Sequence, residues 1–259
     1  MHSTTTRNTT QMEVKKYKCE LCKDMEFIYN PVTDSAKECS CRQLRIQERR
    51  QAFADIPVHF SNITLDKFRT DVYEQYSRLQ ITNILKTVRC YIDEFEEFKA
   101  DGLGLYIYSH TKGSGKTRLA VSIANELLKQ GYKVKFATAI SILNEIKASW
   151  QRRDSDVSES TLLNDLTQTD ILVIDDFGQE KISEWVNNEF YHIINERYAL
   201  SKVTIYTSNC ELKELLYDER ITSRINEKSI MLDFLEESVR DIIAKNNNDM
   251  MKNRVQEIR

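Results

Sequence analysis

Residues 108–120, "YSHTKGSGKTRLA", contain the closing half of a phosphate-binding loop. The full pattern is G-x-x-x-x-G-K-[ST], and the position five residues before Gly115, where it asks for glycine, is His110. Upstream, "GLGLYIYS" is a short apolar run with strand character. Downstream, "TRLAVSIANELLKQ" sets Leu119, Ile123, Ala124 and Leu127 on one helical face, and Gly131 ends it. Strand, glycine-rich loop and helix are the context in which backbone N–H groups and a helix N-terminus hold phosphates. Gly113, Ser114 and Gly115 make the loop, Lys116 neutralises β and γ oxygens, and the Thr117 hydroxyl is a ligand for Mg²⁺.

A bare G-x-G-K-T arises by chance, so a second element is needed. "TDILVIDDFGQE" supplies it: Ile171 to Ile174 form a buried strand that ends in Asp175 and Asp176. Beside a phosphate loop, Asp175 organises Mg²⁺ and Asp176 polarises the attacking water. A third apolar run, "KVTIYTSN", ends in Thr207, Ser208 and Asn209, at a strand end where α/β sheets bind ligands. With "KVKFAT" and "SIMLDF" the strands alternate with helices, which predicts a parallel five-stranded α/β sheet with right-handed crossovers. Helical periodicity runs from Leu65 to about Lys99, ahead of the first of these strands.

The N-terminal region has a different chemistry. "CELC" (Cys19 and Cys22) is followed, after sixteen intervening residues, by "CSC" (Cys39 and Cys41). Four thiolates on two short knuckles complete a tetrahedral shell with no open position, as structural zinc requires; an iron–sulfur cluster or free thiols are the other chemistries this spacing allows. The intervening "KDMEFIYNPVTDSAKE" has the pattern of a β-hairpin. So small a unit depends on its metal for stability. Next, "RQLRIQERRQAFADIP" predicts a basic amphipathic helix ended before Pro57. Arg42, Arg45, Arg49 and Arg50 on it suit phosphate, an acidic partner or plain solvent. The expected organisation is a zinc-binding domain with linker helix over residues 1–54 and a nucleotide-binding domain over 55–259. Cys90 and Cys210 stand alone in apolar surroundings and read as small buried hydrophobes.

Composition narrows the class. The 259 residues are 41% hydrophobic and 30% charged, with 2 Pro and 6 Gly, which suits a helix-rich globular protein. No apolar run has the roughly 18 residues of a membrane span, and the polar start "MHSTTTRNTTQMEVKK" lacks a signal-peptide core, so a cytoplasmic location without membrane contact is expected. A net charge of −3 excludes a global basic field, so any nucleic-acid surface is local.

The motifs "IPVHF", "GSGKTRLA", "LVIDDFGQEK", "INERY", "TSN", "DERITSRI" and "SVRD" occur in this order, and together they resemble the DnaC/DnaI-type helicase loaders, a family of AAA+ ATPases. The cysteine segment is similar to the zinc-binding N-terminal region of DnaI-like and phage-encoded members. The resemblance implies an AAA+ P-loop fold, ATP and Mg²⁺ as ligands, self-association through AAA+ interfaces, and a DnaB-type replicative helicase and single-stranded DNA as partners. It makes Lys116 and Thr117 the P-loop ligands and Asp175 and Asp176 the Walker B pair. Asn209 resembles the sensor on the attacking water or γ-phosphate. Arg224 resembles the arginine finger that reaches a neighbouring subunit's ATP, with Arg220, four residues earlier on the same helical face, as its competitor. Arg240 resembles the second sensor, acting in cis. Asp176 is one methylene shorter than the glutamate common at this AAA+ position, which implies slow hydrolysis until a partner or DNA closes the site.

Two departures from the family pattern stand out. The opening glycine is missing, and the strand register puts Ser109 where that glycine normally turns. The chain also ends soon after Arg240, so no full lid domain is expected. An IstB-type transposition helper shares the ATPase core but normally lacks the cysteine segment, and a nucleotide-binding scaffold needs none of the hydrolytic residues. "KASWQRR", Lys147 to Arg153, sets an aromatic between cations, which suits either stacking of a single strand or a core Trp beside a solvated loop.

Overall fold

The computed structural model describes residues 17–151 and 159–257, and its compact units divide between Arg49 and Arg50. In the first unit, β1 (Phe27–Asn30) and β2 (Ser35–Glu38) form an antiparallel hairpin that pairs Phe27 with Glu38 and Asn30 with Ser35. The Asn30 side chain accepts from Val32 N at 2.9 Å and Asp34 takes φ +46°, which close the turn. Every residue of both strands is exposed, so the hairpin has no apolar core of its own. Helix α1 (Cys41–Ala54) follows. Its arginines are paired locally: Arg42 with Glu38, Arg45 with Asp24 at 2.6 Å, and Arg49 with Glu26.

The second unit begins with two helices, α2 (Arg78–Asp93) and α3 (Phe95–Ala100). Helix α2 buries Ile81, Ile84, Val88, Tyr91 and Ile92, the stripe that 3.6-residue periodicity predicts. The helical pattern expected from Leu65 to about Lys99 holds from Arg78 onward; before that it holds only in a short 3₁₀ turn at Leu65–Lys67, and the chain is irregular from there to Arg78. Tertiary contact overrides local periodicity here: Phe68 and Tyr73 are buried, and the Tyr73 hydroxyl donates to Ser114 O at 2.7 Å.

Then come β3 (Gly104–Tyr108), α4 (Lys116–Gln130), β4 (Val134–Thr138), α5 (Ala139–Gln151), α6 (Glu159–Gln168) and β5 (Ile171–Phe177). The chain continues through α7 (Glu184–Ala199), β6 (Val203–Ser208), α8 (Glu219–Glu227), β7 (Ser229–Asp233) and α9 (Val239–Glu257). The five strands lie in the order β4-β5-β6-β3-β7, and every neighbouring pair is parallel. Successive residues of one strand serve opposite faces: Ile171 and Val173 join a core with α2 and α4, whereas Leu172 and Ile174 join one with α5, α6, α7 and α8. A sheet covered on both faces explains the unbroken apolar runs. Gly104 is required where β3 crosses β6, because a Cβ there would lie 1.8 Å from Thr204 O. Among the described residues, no helix is long and apolar enough to cross a membrane.

Arg197, from the "INERY" motif, is a fully buried cation in α7. Its Nε donates to Thr204 Oγ1 at 2.9 Å, Nη1 to Leu166 O at 2.7 Å and Thr169 O at 3.0 Å, and Nη2 to Val203 O. Burial pulls its pKa down to about 9, so the group stays charged at neutral pH. The side chain thereby ties α7 to the end of α6 and the start of β6. Replacing it by methionine leaves these carbonyls unpaired, so Arg197→Met should cost about 3 kcal/mol or more, read from the denaturant midpoint. An unchanged midpoint would show that the carbonyls find other donors.

Candidate functional site

The loop between β3 and α4 needs its two glycines. Gly115 caps α4 with φ +113°, and a Cβ there would meet Tyr73 Oη at 2.6 Å. Gly113 has φ +78°, and a Cβ there would lie 3.0 Å from Arg240 Cδ. Lys116 opens α4 and is buried; its Nζ donates to Ser109 O and Thr111 O, both at 2.9 Å. Burial lowers its pKa, while Glu236, Asp176 and Asp175 act in the opposite sense. Ser109, expected at the turn that glycine normally makes, keeps an ordinary φ, as does His110. Its buried hydroxyl donates instead to Leu235 O at 2.9 Å, so the loop opens without a left-handed residue.

The two acids of β5 lie in different environments. Pairing of β5 with β6 shifts register between Ile174 and Phe177, the interval that holds Asp175 and Asp176. Asp175 is buried, and its Oδ1 accepts from Thr207 Oγ1 at 2.6 Å. Burial raises its pKa, opposed by hydrogen bonds from Thr207 and Thr117. Asp176 is exposed with φ +54°, a conformation costing about 1 kcal/mol or more for a residue with a side chain. Its N–H donates to the same Thr207 Oγ1 at 2.9 Å. One hydroxyl therefore fixes both acids, and the left-handed turn separates them.

A cleft of about 520 Å³ has the loop from Lys112 to Arg118, together with Asp176, Asn209 and Arg240, along its polar side. Phe60, Phe68, Val72, Val239 and Ile243 form an apolar wall. Such a mixture accommodates a ligand with a phosphate tail and an apolar ring. The Asn125 side chain secures part of the wall by donating to Phe60 O at 2.9 Å and Ile63 O at 2.7 Å.

Gly113, Ser114, Gly115, Lys116, Thr117, Asp176, Asn209 and Arg240 thus meet at one cleft, with Asp175 behind them beside Thr207. Arg224 and Arg220 do not line it. Arg220 pairs with Asp218 at 2.9 Å and lies 4.7 Å over the Tyr191 ring. Arg224 donates to Arg220 O at 2.7 Å and lies over Tyr191 and Tyr198 at 5.2 and 5.5 Å. Tyr73, Thr207 and Glu236 have roles that no local motif announces.

In the N-terminal unit the four sulfurs of Cys19, Cys22, Cys39 and Cys41 lie within 4.8 Å of one another. Cys19 Sγ and Cys39 Sγ are 3.7 Å apart, and Cys22 Sγ and Cys41 Sγ 3.4 Å. A tetrahedral ZnS₄ site has sulfurs about 3.8 Å apart, so the cluster fits the metal. The Cys22 N–H pulls the Cys19 thiol down to about 7, while burial and the neighbouring sulfurs push Cys41 up to about 12. Further thiolates in this cluster need a cation beside them.

Two sequence expectations fail on burial. Cys90 is exposed on the outer side of α2, beside Glu94, and Cys210 is only partly buried, near Ser208. Trp150 is 54% exposed, so it is no core residue; its ring meets Trp185 edge-on at 5.6 Å, and Lys147 lies over Trp185. Arg152 and Arg153 of the same segment lie outside the described residues.

Comparison with known proteins follows the same lines. Residues 99–256 match the model of the family described as IstB-like ATP binding protein. The replicative helicase loader DnaC of Escherichia coli (strain K12) is 29% identical over 196 residues, 75% of this chain and 75% of that protein. The crystal structure of the DnaC helicase loader superposes with a TM-score of 0.58 at 24% identity, covering 69% of this chain and 100% of that one. The crystal structure of DnaI gives a TM-score of 0.56 at 20% identity, over 74% and 99% respectively, so it speaks to fold. The five-stranded parallel sheet is that of an AAA+ P-loop protein. With well over half of its length matched by the family model and a DnaC relative spanning three quarters of it, the chain belongs to the IstB-like ATP binding proteins as a DnaC-type member.

Proposed function

We propose that this protein is an ATP-driven loader that delivers a DnaB-type replicative helicase onto single-stranded DNA in the cytoplasm. One observation carries the reading: a hydrolytic set of Lys116, Thr117, Asp175, Asp176, Asn209 and Arg240 surrounds one cleft in a DnaC-like chain. A scaffold that only binds nucleotide has no use for the left-handed Asp176 or for the Thr207 bridge that holds it. The IstB description of the family favours a second reading, a transposition helper. The cysteine cluster argues for the loader instead.

In this reading the loop amides, the α4 N-terminus and Lys116 bind the triphosphate, and the apolar wall takes the base. Thr117 and Asp175 would hold Mg²⁺, which supplies charge neutralisation at the β and γ oxygens. Asp176 orients a water and takes its proton, Asn209 aligns the same water or the γ-phosphate, and Arg240 adds positive charge in cis. Arg224 acts on the ATP of a neighbouring subunit. Cys19, Cys22, Cys39 and Cys41 would hold structural zinc in a domain of residues 1–54 that docks on the helicase.

Asp176 is short for its task, so the isolated protein should turn over ATP slowly and speed up with single-stranded DNA or helicase. A phosphate-release assay checks this, and fast turnover by the protein alone would contradict it. The test of the function itself is capture of the purified DnaB-type helicase of the same cell, with and without ATP. Complex formation that responds to ATP supports the loader. Capture of a transposase but not the helicase would select the second reading.

A further inference from the structure

A phosphate loop that lacks its opening glycine must be held by something else. In this chain the segment between β7 and α9 does so. Glu236 Oε1 accepts from His110 N at 2.7 Å, and Oε2 accepts from both Thr111 N and Thr111 Oγ1 at 2.7 Å. One carboxylate therefore binds the first two amides of the loop, and Thr111 N has a second, longer bond to Ser109 Oγ at 3.2 Å. The next atoms matter to the phosphates, because Thr111 O accepts from Lys116 Nζ at 2.9 Å. The neighbours of Glu236 hold the rest of the loop. Val239 N donates to Gly113 O at 3.1 Å. Glu237 Oε1 accepts from Glu74 N at 2.7 Å, beside the Tyr73 that donates to Ser114 O.

His110 completes the arrangement. Its Nε2 lies 2.9 Å from Glu214 Oε2 and its Nδ1 3.4 Å from Glu236 Oε1. Glu214 follows Asn209 in the chain and Glu236 precedes Arg240, so the ring links the loop to both sensor-bearing segments. We propose that Glu236 is a positioning residue for the phosphate loop, fixing the backbone that glycine shapes in the usual pattern, with His110 as its cationic partner. This rests on the reading of the cleft as an ATP site.

The surrounding charges are consistent with an ion pair. Glu214 first, and then Glu236, raise the His110 pKa, and the Glu211 N–H first, then His110, lower that of Glu214. Glu236 also faces Lys116 and Tyr108, and Glu214 faces Lys213 and Glu211. Because the folded-state pKa of His110 is raised, its cation is present at and below the ordinary value near 6.5 and is lost as pH rises through the raised one. ATP affinity should weaken in that direction, since Glu236 then loses the cation that helps hold its carboxylate against the loop amides.

The test compares Glu236→Gln, His110→Gly and the double variant in the full chain, by binding of a fluorescent ATP analogue and by thermal midpoint. Glu236→Gln should weaken binding about tenfold while the protein stays folded. With glycine at position 110 the same change should cost less than about threefold, and the pH dependence of affinity should vanish. Glu236→Asp, which keeps the charge but shortens the reach, should fall between parent and Glu236→Gln. Affinity equal to or above the parent's in Glu236→Gln would overturn the proposal, as would an equal loss whichever residue stands at 110. Retained analogue binding in Lys116→Ala would instead sink the ATP-site reading itself.

Discussion

Lys116→Ala should abolish nucleotide binding, whereas Arg224→Ala should bind ATP like the parent and hydrolyse it about 10³-fold more slowly or worse. Lys116 is buried within the loop and bonded to two of its carbonyls, so its loss removes both the phosphate counter-charge and an internal tie. Arg224 lies on α8, away from the residues that line the cleft of its own chain, as expected of a group that serves the next subunit. The surroundings of the two candidate fingers differ. Arg220 makes two bonds to Asp218, whose carboxyl is pulled down to about 2, while Arg224 Nε has no hydrogen-bond partner among the described residues. That Nε is buried, so any donor Arg224 offers a phosphate oxygen comes from its Nη groups, of which Nη1 is already bonded to Arg220 O. Mixing the two inactive variants should restore part of the ATPase activity, because some interfaces then join an intact Lys116 to an intact Arg224. Parent-like hydrolysis by Arg224→Ala together with failure of Arg220→Ala would transfer the role to Arg220.

The second large effect concerns zinc. The hairpin β1–β2 is exposed along both strands, and the buried apolar groups near it are two of the cysteines themselves, Cys22 and Cys39. Structural zinc contributes about 10–16 kcal/mol in small domains of this kind, far more than such a hairpin gains from packing. Metal analysis of the purified protein should find one zinc per chain. Chelation, or Cys22→Ser with Cys39→Ser, should unfold the first unit and abolish helicase binding while nucleotide binding persists. The ion pairs of Arg45 with Asp24 and of Arg49 with Glu26 are partly exposed and too weak to hold the unit alone. Protein without zinc, or helicase binding that survives deletion of residues 1–54, would contradict this account.

Much of the sheet was legible because its strands are buried on both faces and read as unbroken apolar runs between helical periods. "ILVIDDF" and "VTIYTS" are examples, and the loop that follows "GLYIY" carries its own glycine signature. The cysteine knuckles were legible from spacing alone. What stayed hidden depends on residues distant in sequence. Glu236 reaches His110 from 126 positions away, and Tyr73 reaches Ser114 through a segment whose helical pattern the fold overrides. Thr207 belongs to a visible polar triplet, yet its service to both aspartates follows from a register shift that only the paired strands reveal. Arg197 stood inside a recognised motif, but its burial among carbonyls depends on where α6 ends and β6 begins beside it.

The central claim is ATP-driven loading, and its most direct test is transfer of the purified DnaB-type helicase onto closed single-stranded DNA circles. Helicase should appear on the circles when this protein and ATP are both supplied, and should not appear with Lys116→Ala. Equal loading without nucleotide, or with the Lys116→Ala variant, would contradict the account and leave a scaffold that needs no ATP.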